Sequence, residues 1–209
     1  MNNSVGNVRA DIIDLLDISD KFDEKIIRKF KNMKIAAEEA LNIPKEINKF
    51  TQKLKSIKTK VDIDTIIQNV IETKTAKGIC FQYNKPQYVP AIEANPEMMK
   101  EVFSELIQNA IKAMPKGGQI TISVQKRSGN MLEVKVMDQG HGIAEKNLNK
   151  IFEYGYTDWE RAEGSGDGLP LIQTVIEVDH KGTITVENNK NNQGCTFTVT
   201  LPIFGTNSN

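Results

Sequence analysis

Residues 8 to 60 carry hydrophobic side chains at helical spacing. These side chains recur mostly in steps of three and four positions, a period that predicts α-helix and not strand. We therefore expect the N-terminal part of the chain to be helical throughout. The positions that carry the pattern are Ile12, Leu16, Phe22, Ile26, Phe30, Met33, Ala37 and Leu41.

A narrower hydrophobic stripe follows Pro44. Its members, with lysines between them, repeat in the manner of a heptad seam, which packs against a partner helix. Pro44 suits the first turn of a helix, so the simplest prediction is a helical hairpin that turns at residues 42–44. One long kinked helix is the alternative. The seam consists of Ile43, Ile47, Phe50, Leu54, Ile57 and Val61.

From residue 61 onward the pattern alternates between helical and strand periods. Helices are predicted over residues 62–74, 96–114 and 170–178, the second with Asn95 as its N-cap and Pro96 in its first turn. The mixture predicts an α+β fold for residues 61–209, preceded by the helical segment 1–60. Strands are predicted over residues 79–83, 88–93, 119–126, 131–137, 183–188 and 195–201.

The composition is that of a globular protein with balanced charge. The 209 residues include 27 Lys and Arg against 27 Asp and Glu, so bulk charge gives no support for a nucleic-acid partner. No stretch approaches the roughly 20 apolar residues of a membrane span, and the N-terminus lacks the apolar core of a signal peptide. We therefore expect no nucleic acid and no membrane contact for this chain, and a cytoplasmic location.

The cysteines and histidines argue against a disulfide framework and a zinc site. Cys80 and Cys195 each lie in an apolar, strand-like run, so both are expected to be small buried residues. His141 and His180 are far apart and lack the short spacing of zinc ligands. A bound metal is therefore expected to have oxygen ligands.

The helix predicted over residues 96–114 places three polar groups on one face. Glu105, Asn109 and Lys112 stand at positions i, i+4 and i+7, which keeps them within roughly 60° of one another around the helix. The rest of the helix carries hydrophobic residues that can pack on a sheet. Alone, such a face is equally consistent with simple solvation.

Two glycine-containing segments suggest a ligand for that face. Residues 138–143 follow a predicted strand, and Gly140 and Gly142 allow the backbone to approach a ligand beside Asp138, a hydrogen-bond acceptor. Residues 164–168 form a glycine-rich loop before a helix, which directs backbone N–H groups at an anion. The polar residues 154–163 have the length of a mobile lid over such a site.

These segments, in this order, resemble the ATP-binding catalytic domain of sensor histidine kinases. That domain belongs to the GHKL superfamily, with the gyrase B, heat-shock chaperone and mismatch-repair ATPases. The resemblance implies a Bergerat-type fold, a two-layer α/β sandwich with a mixed sheet under helices. It covers about residues 61–202: residues 105–113 are similar to the N box, 138–143 to the G1 box, 151–153 to the F box, 164–169 to the G2 box, and 194–197 with 201–202 to the closing strand.

The resemblance also implies a role for each site residue. Asn109 would ligate Mg²⁺, Glu105 would act as the general base, and Lys112 would neutralise phosphate charge. Asp138 would accept a hydrogen bond from the adenine amino group. Further nucleotide contacts are implied at Gly140, Gly142, Ile143, Phe152, Gly164, Ser165, Gly166, Gly168, Leu169 and Thr196.

The function implied is phosphotransfer from Mg-ATP to a protein acceptor in two-component signal transduction. ATP and Mg²⁺ are the expected cofactors, and a response regulator or another phosphoacceptor protein is the expected partner. The seam favours a homodimer through residues 1–60. The chain would act in the cytoplasm, alone or as the cytosolic part of a larger sensor.

Several positions depart from the family pattern. Residues 1–60 contain no histidine, although the family carries its phosphoacceptor histidine on the first helix of this hairpin. The segment is then a diverged hairpin, the second half of one, or an unrelated interaction module. Asp167 stands where an apolar residue is usual and Cys195 where threonine is usual, which leaves open whether they impair catalysis.

The identity of the acceptor also stays open. Residues 152–157 and 168–170 are similar to the pyruvate-dehydrogenase-kinase branch, which phosphorylates serine. The alternatives to histidine phosphorylation are therefore a serine kinase, an ATPase of the GHKL type, and a module whose helices change their pairing when the nucleotide binds.

Overall fold

A computed structural model describes residues 58–74, 76–156, 166–190 and 193–205. The chain separates into two units between Ser56 and Ile57, and every described residue belongs to the second. The helices predicted before residue 58, with their hairpin turn and most of the seam, lie outside the described residues.

At its C-terminal end the helical prediction is wrong. Thr59–Val61 forms a strand, β1, so Thr59 and Lys60 are not helical and the seam does not extend to Val61. Val61 is buried and faces the core of the second unit. Its four-residue spacing from Ile57 is therefore not a helical repeat.

The second unit is a mixed α+β domain, as the sequence predicts. Its five-stranded sheet has the order β2-β4-β5-β7-β6, in which β2 and β4 are parallel and the other pairs are antiparallel. The elements after β1 are α1 (Ile63–Thr73), β2 (Ile79–Asn84), β3 (Ile92–Ala94), α2 (Pro96–Ala113), β4 (Gly118–Arg127), β5 (Met131–Met137), a 3₁₀ turn (Glu145–Asn147), α3 (Gly168–Thr174), a π-helical turn (Val175–Asp179), β6 (Thr183–Asn188) and β7 (Cys195–Pro202).

Helix α2 begins where the sequence signals predict. The Asn95 side chain accepts hydrogen bonds from the backbone N–H groups of Glu97 and Met98, at 3.0 and 3.2 Å, and Pro96 occupies the first turn. The cap satisfies two of the backbone donors that a helix start leaves unpaired. The cap fixes the residue at which α2 begins, and the buried apolar residues of the helix set the direction of its polar face.

The core lies between the helices and one face of the sheet. Along β4, Ile120, Ile122 and Val124 are buried while the residues between them are partly exposed, so the described helices cover one face of the sheet. Phe103, Leu106 and Ile107 of α2 are almost fully buried. The result is a two-layer arrangement of helices on a sheet.

The first and last strands of the domain meet at β3. Strand β1 pairs with β3 in antiparallel register, with Val61 opposite Ile92. Ile92 also forms a bridge with Ile203, just after β7. The backbone N–H of Phe204 then donates to the Ala91 carbonyl at 2.9 Å.

Three local predictions differ from the structure. The strand predicted over residues 88–93 is reduced to Ile92–Ala94, because Pro90 has no N–H to donate to a ladder. Cys80 is exposed, since it lies on the open side of the edge strand β2, whereas Cys195 is buried as predicted. The helix predicted over residues 170–178 begins at Gly168 and ends in the π-helical turn.

No helix in the described ranges is long and apolar enough to cross a membrane.

Candidate functional site

Two adjoining cavities lie beside the C-terminal half of α2. We call them the Asp138 cavity and the Glu105 cavity; they enclose about 620 and 600 Å³, part of it open to solvent. Ile151, Tyr156 and Leu169 line both, so the two share part of their walls. The Asp138 cavity is also lined by Asn109, Ala110, Ala113, Asp138, His141, Gly142, Ile143, Cys195 and Phe197, and the Glu105 cavity by Glu105, Lys112, Gly166 and Gly168.

The polar face of α2 spans both cavities. Glu105 and Lys112 line one of them and Asn109 lines the other. The Asn109 Nδ2 donates to Glu105 Oε1 at 3.4 Å, a long hydrogen bond between successive turns. This bond leaves the Asn109 side-chain oxygen available as a ligand.

Asp138 is a buried carboxylate at the end of β5, with 2% of its surface exposed. Its Oδ1 accepts from the backbone N–H of Gly140 at 2.8 Å and of Cys195 at 3.4 Å, and its Oδ2 accepts from Cys195 Sγ at 3.1 Å. A carboxylate has about four lone-pair positions, so one position on Oδ2 remains for a donor in the cavity.

The thiol of Cys195 is part of this arrangement. Burial raises the pKa of the thiol, and the negative charge of Asp138 raises it further. The thiol therefore keeps its proton at neutral pH and donates a hydrogen bond to the carboxylate. Cys195, at a position where threonine is usual in the family, still supplies a hydrogen-bond donor.

Two glycines allow close backbone packing around the cavities. A Cβ on Gly140 would lie 2.6 Å from the Cβ of Ala113, so the loop after β5 touches the end of α2 directly. A Cβ on Gly168 would collide with the carboxylate of Glu105. The backbone at the start of α3 therefore lies against Glu105.

Most of the residues that the sequence assigned to the site lie at these cavities. Gly140, Phe152 and Thr196 line neither cavity, although Gly140 shapes the Asp138 loop. Gly164 and Ser165 lie outside the described residues. Those brought together are Glu105, Asn109, Lys112, Asp138, Gly142, Ile143, Gly166, Gly168 and Leu169.

The chain neighbours of two predicted contact residues line the cavities. In β7, Cys195 lines the Asp138 cavity while Thr196 donates from Oγ1 to Asn189 Oδ1 at 2.7 Å, because successive residues of a strand face opposite sides. Ile151, buried at 6% exposure, lines both cavities in place of the half-buried Phe152. Because alternate residues of a strand face the same side, the sequence alone could have placed Cys195 and Phe197 on one face of β7.

Asp167 and His141 lie in the two loops beside the cavities. Asp167 stands at the N-terminus of α3, makes no capping bond there and lines neither cavity. His141 is exposed on the loop after Asp138, with its Nδ1 2.6 Å from the Gly142 carbonyl oxygen.

His180 is a buried structural residue. Its Nε2 accepts from the backbone N–H of Asn95 at 3.2 Å, so the proton is on Nδ1, which donates to the Val175 carbonyl at 2.7 Å. Burial lowers the pKa of the imidazole, and the charge of Lys58 lowers it further. His180 thus joins the start of α2 to the π-helical turn in its neutral form.

Two asparagines at the end of β6 also contact the loop after β5. Asn188 bonds to the backbone of Ile143, and the Asn189 Nδ2 donates to the Asp138 carbonyl at 2.8 Å. No sequence pattern predicts these contacts, which join residues 45 and 51 positions apart.

Comparison with known proteins identifies the domain. Residues 94–204 match the family described as histidine kinase-, DNA gyrase B- and HSP90-like ATPases. The adaptive-response sensory kinase SasA of Crocosphaera subtropica is 37% identical over 142 residues, which cover 66% of this chain and 36% of SasA. The chain therefore spans about a third of the length of this relative.

Two further proteins extend the comparison. Sporulation kinase C of Bacillus subtilis is 29% identical over 195 residues, which cover 90% of this chain and 42% of that kinase. The catalytic domain of the histidine kinase ThkA is 30% identical and has a TM-score of 0.63, over 71% of this chain and 97% of that domain. The chain belongs to the family of histidine kinase-, DNA gyrase B- and HSP90-like ATPases, and its second unit is a catalytic domain of the histidine-kinase type.

Proposed function

We propose that this chain is the ATP-binding catalytic part of a two-component-type sensor histidine kinase and that it transfers phosphate from Mg-ATP to a protein acceptor. The observation that carries the proposal is a pair of adjoining cavities, with a buried acceptor, Asp138, in one and two charged side chains, Glu105 and Lys112, in the other. These features lie within the region that matches the ATPase family.

The Asp138 cavity is suited to adenine. Ala110, Ala113 and Phe197 provide apolar walls for the faces of a base. The remaining acceptor position of Asp138 would pair with the adenine amino group. Guanine carries a carbonyl at that position, and its oxygen would face the carboxylate without a shared proton.

The Glu105 cavity is suited to the phosphates. Lys112 would offset their negative charge, and Glu105 would accept the proton of the attacking group. Gly166 and Gly168, with Gly164 and Ser165 of the preceding segment, would bring backbone N–H groups to the phosphate oxygens.

A magnesium ion fits the donors at this site. Asn109 provides a side-chain oxygen, a ligand type that Mg²⁺ prefers. Among the described residues no group of three His, Cys, Asp or Glu side chains could hold a metal, so phosphate and water oxygens would complete the coordination. When bound, Mg²⁺ would supply positive charge beside the phosphates.

The acceptor would lie outside the catalytic domain. His180 is buried and both of its ring nitrogens are hydrogen bonded, so it has no position for a phosphoryl group. Residues 1–60 contain no histidine. We propose a response regulator or another protein as the phosphoacceptor, a homodimer through residues 1–60, and action in the cytoplasm.

Calorimetry and labelling with γ-labelled ATP test the proposal. We expect the chain to bind ATP and ADP with Mg²⁺, and Asn109→Asp to alter the dependence of ATP binding on Mg²⁺ concentration. We expect label from ATP to appear on a candidate acceptor hairpin or adaptor protein added in trans. Acid-labile label would indicate phosphohistidine and acid-stable label phosphoserine.

A second candidate function follows from the missing histidine. The chain would then be a nucleotide-gated interaction module, whose ATP-bound form changes the pairing of residues 1–60. ATP binding without label on any acceptor, together with an oligomeric state that changes with ATP in light scattering, would favour this candidate. Steady phosphate release without labelling would instead indicate an ATPase.

A further inference from the structure

Asn188, at the end of β6, binds the backbone of the loop that follows β5. Its Oδ1 accepts from the N–H of Ile143 at 2.9 Å, and its Nδ2 donates to the carbonyl of the same residue at 2.6 Å. Both polar atoms of the amide are thus used on one residue, 45 positions away in the chain. We call this pair of hydrogen bonds the Asn188 clamp.

The clamp fixes one wall of the Asp138 cavity. Gly142 and Ile143, the residues that it holds, both line that cavity. The start of the same loop is tied separately: the Asp138 N–H donates to the Cys195 carbonyl at 3.0 Å, and Asn189 binds the Asp138 carbonyl. Asn188 therefore provides the attachment at the far end of the loop.

The residues that the clamp holds and the charged side chains belong to different cavities. Asn188 itself lines neither cavity, so it acts through the loop that it holds. Glu105 and Lys112 line the other cavity, which Gly142 and Ile143 do not reach. A displaced loop would therefore alter the wall beside Asp138 and leave the charged pair in place.

We propose that Asn188 is a positioning residue for nucleotide binding, which holds Gly142 and Ile143 in place to form the wall against the base. This inference rests on the proposed function of the site. The base is common to ATP and ADP, so loss of the clamp weakens binding of both nucleotides by the same factor.

The test is a calorimetric titration of Asn188→Ala and Asn188→Asp with ATP and with ADP. Replacement by alanine removes both hydrogen bonds, and replacement by aspartate removes the donor and places an oxygen against the Ile143 carbonyl. We expect each variant to bind both nucleotides about 5- to 30-fold more weakly, with an unchanged ratio of the two dissociation constants. Thr185→Ala, at an exposed position of the same strand, is the matched control and should bind as the unmodified chain does.

Hydrogen exchange of the Ile143 amide gives a second readout on the unmodified chain. The clamp predicts that this amide is protected without nucleotide and that Asn188→Ala removes the protection while amides in β4 and β5 keep theirs. Exchange at the rate of an exposed loop in the unmodified chain would overturn the inference even if a variant failed to fold.

The remaining outcomes distinguish a failure of the role proposed for Asn188 from a failure of the proposed function. Folded Asn188 variants that bind ATP within twofold of the unmodified chain would overturn the role of Asn188, as would a loss confined to ATP. If the unmodified chain bound neither nucleotide, the proposed function would fail instead, and the role assigned to Asn188 with it.

Discussion

The two cavities at the site differ in how their walls are held. In the Asp138 cavity the carboxylate receives three hydrogen bonds and the loop beside it is tied at both ends. In the Glu105 cavity the polar groups are the half-buried ends of the long side chains Glu105 and Lys112. Recognition of a neutral base needs an acceptor that is fixed and shielded from water, whereas binding of a charged phosphate chain needs charge that can follow it.

The largest effect is expected from a substitution of Asp138, the hydrogen-bonded carboxylate of the Asp138 cavity. Asp138→Asn would keep one acceptor oxygen but replace the other with an NH₂ group, so that the donors on one side of the side chain would lose their acceptor: either the N–H groups of Gly140 and Cys195, or the Cys195 thiol and the adenine amino group. We expect about 100-fold weaker binding of both ATP and ADP, the loss of a hydrogen bond to a charged group. Calorimetry measures it, with the exposed Glu187→Gln on β6 as the control. Equal affinities for the variant and the unmodified chain would show that the base binds elsewhere.

A substitution of Gly168, which lies against Glu105 in the Glu105 cavity, should slow phosphotransfer more than it weakens nucleotide binding. In Gly168→Ala the new methyl group would displace the Glu105 carboxylate. We expect phosphotransfer about 30-fold slower, since a catalytic group displaced by about an ångström has effects of this order, while ADP affinity changes much less. Gln173→Ala, on the same helix, is the control. If ADP affinity fell as far as the rate, the two cavities would not act separately.

Removal of the Lys112 ammonium group tests whether the Glu105 cavity binds the phosphates separately from the base. Lys112→Ala should weaken ATP binding about tenfold and ADP binding less, because a charged hydrogen bond to phosphate is lost and ATP carries more negative charge. Titration at two salt concentrations measures the effect, and Lys116→Ala, an exposed lysine beyond the helix, is the control. Equal losses for ATP and ADP would place Lys112 beside phosphates that both nucleotides share.

The smallest effect concerns His180, which lies outside both cavities. Its pKa is lowered in the folded chain, mainly by burial, so the unfolded chain binds more protons below pH 6.5, the ordinary value of histidine. Stability should therefore be complete above pH 6.5 and decline as the pH falls below it. Urea unfolding at pH 7.5 and pH 5.5 measures the decline, which His180→Gln should reduce. A variant that keeps the full decline would assign it to other groups.

The elements that local signals define could be predicted from the sequence. Helix α2 has a capping asparagine, a proline in its first turn and a stop at Pro115 to Gly118, and its predicted bounds differ from the structure by one residue. The same helix geometry brought Glu105, Asn109 and Lys112 to the site, because i, i+4 and i+7 positions share a face.

Features that depend on the position of a strand in the sheet could not be predicted. Cys80 and Cys195 lie in similar apolar runs, yet Cys80 is exposed because β2 is an edge strand and its alternate residues face solvent. The Asn188 clamp joins a side chain to a distant backbone, and such a bond leaves no periodic pattern. Thr196 was predicted as a nucleotide contact, yet Cys195 lines the cavity, because the sequence does not define which side of β7 faces it.

The meeting of β1 and the end of β7 at Ile92 has a consequence for how this domain can be joined to others. Because the chain enters and leaves the domain at neighbouring points, the domain can be inserted between two segments of a longer protein without separating them widely. A circular permutant with a short linker between residues 58 and 205, and new termini in the exposed turn at Ser128 to Asn130, should keep the same sheet order. The close approach of its two ends makes the domain a unit that can be joined to different segments of a longer protein.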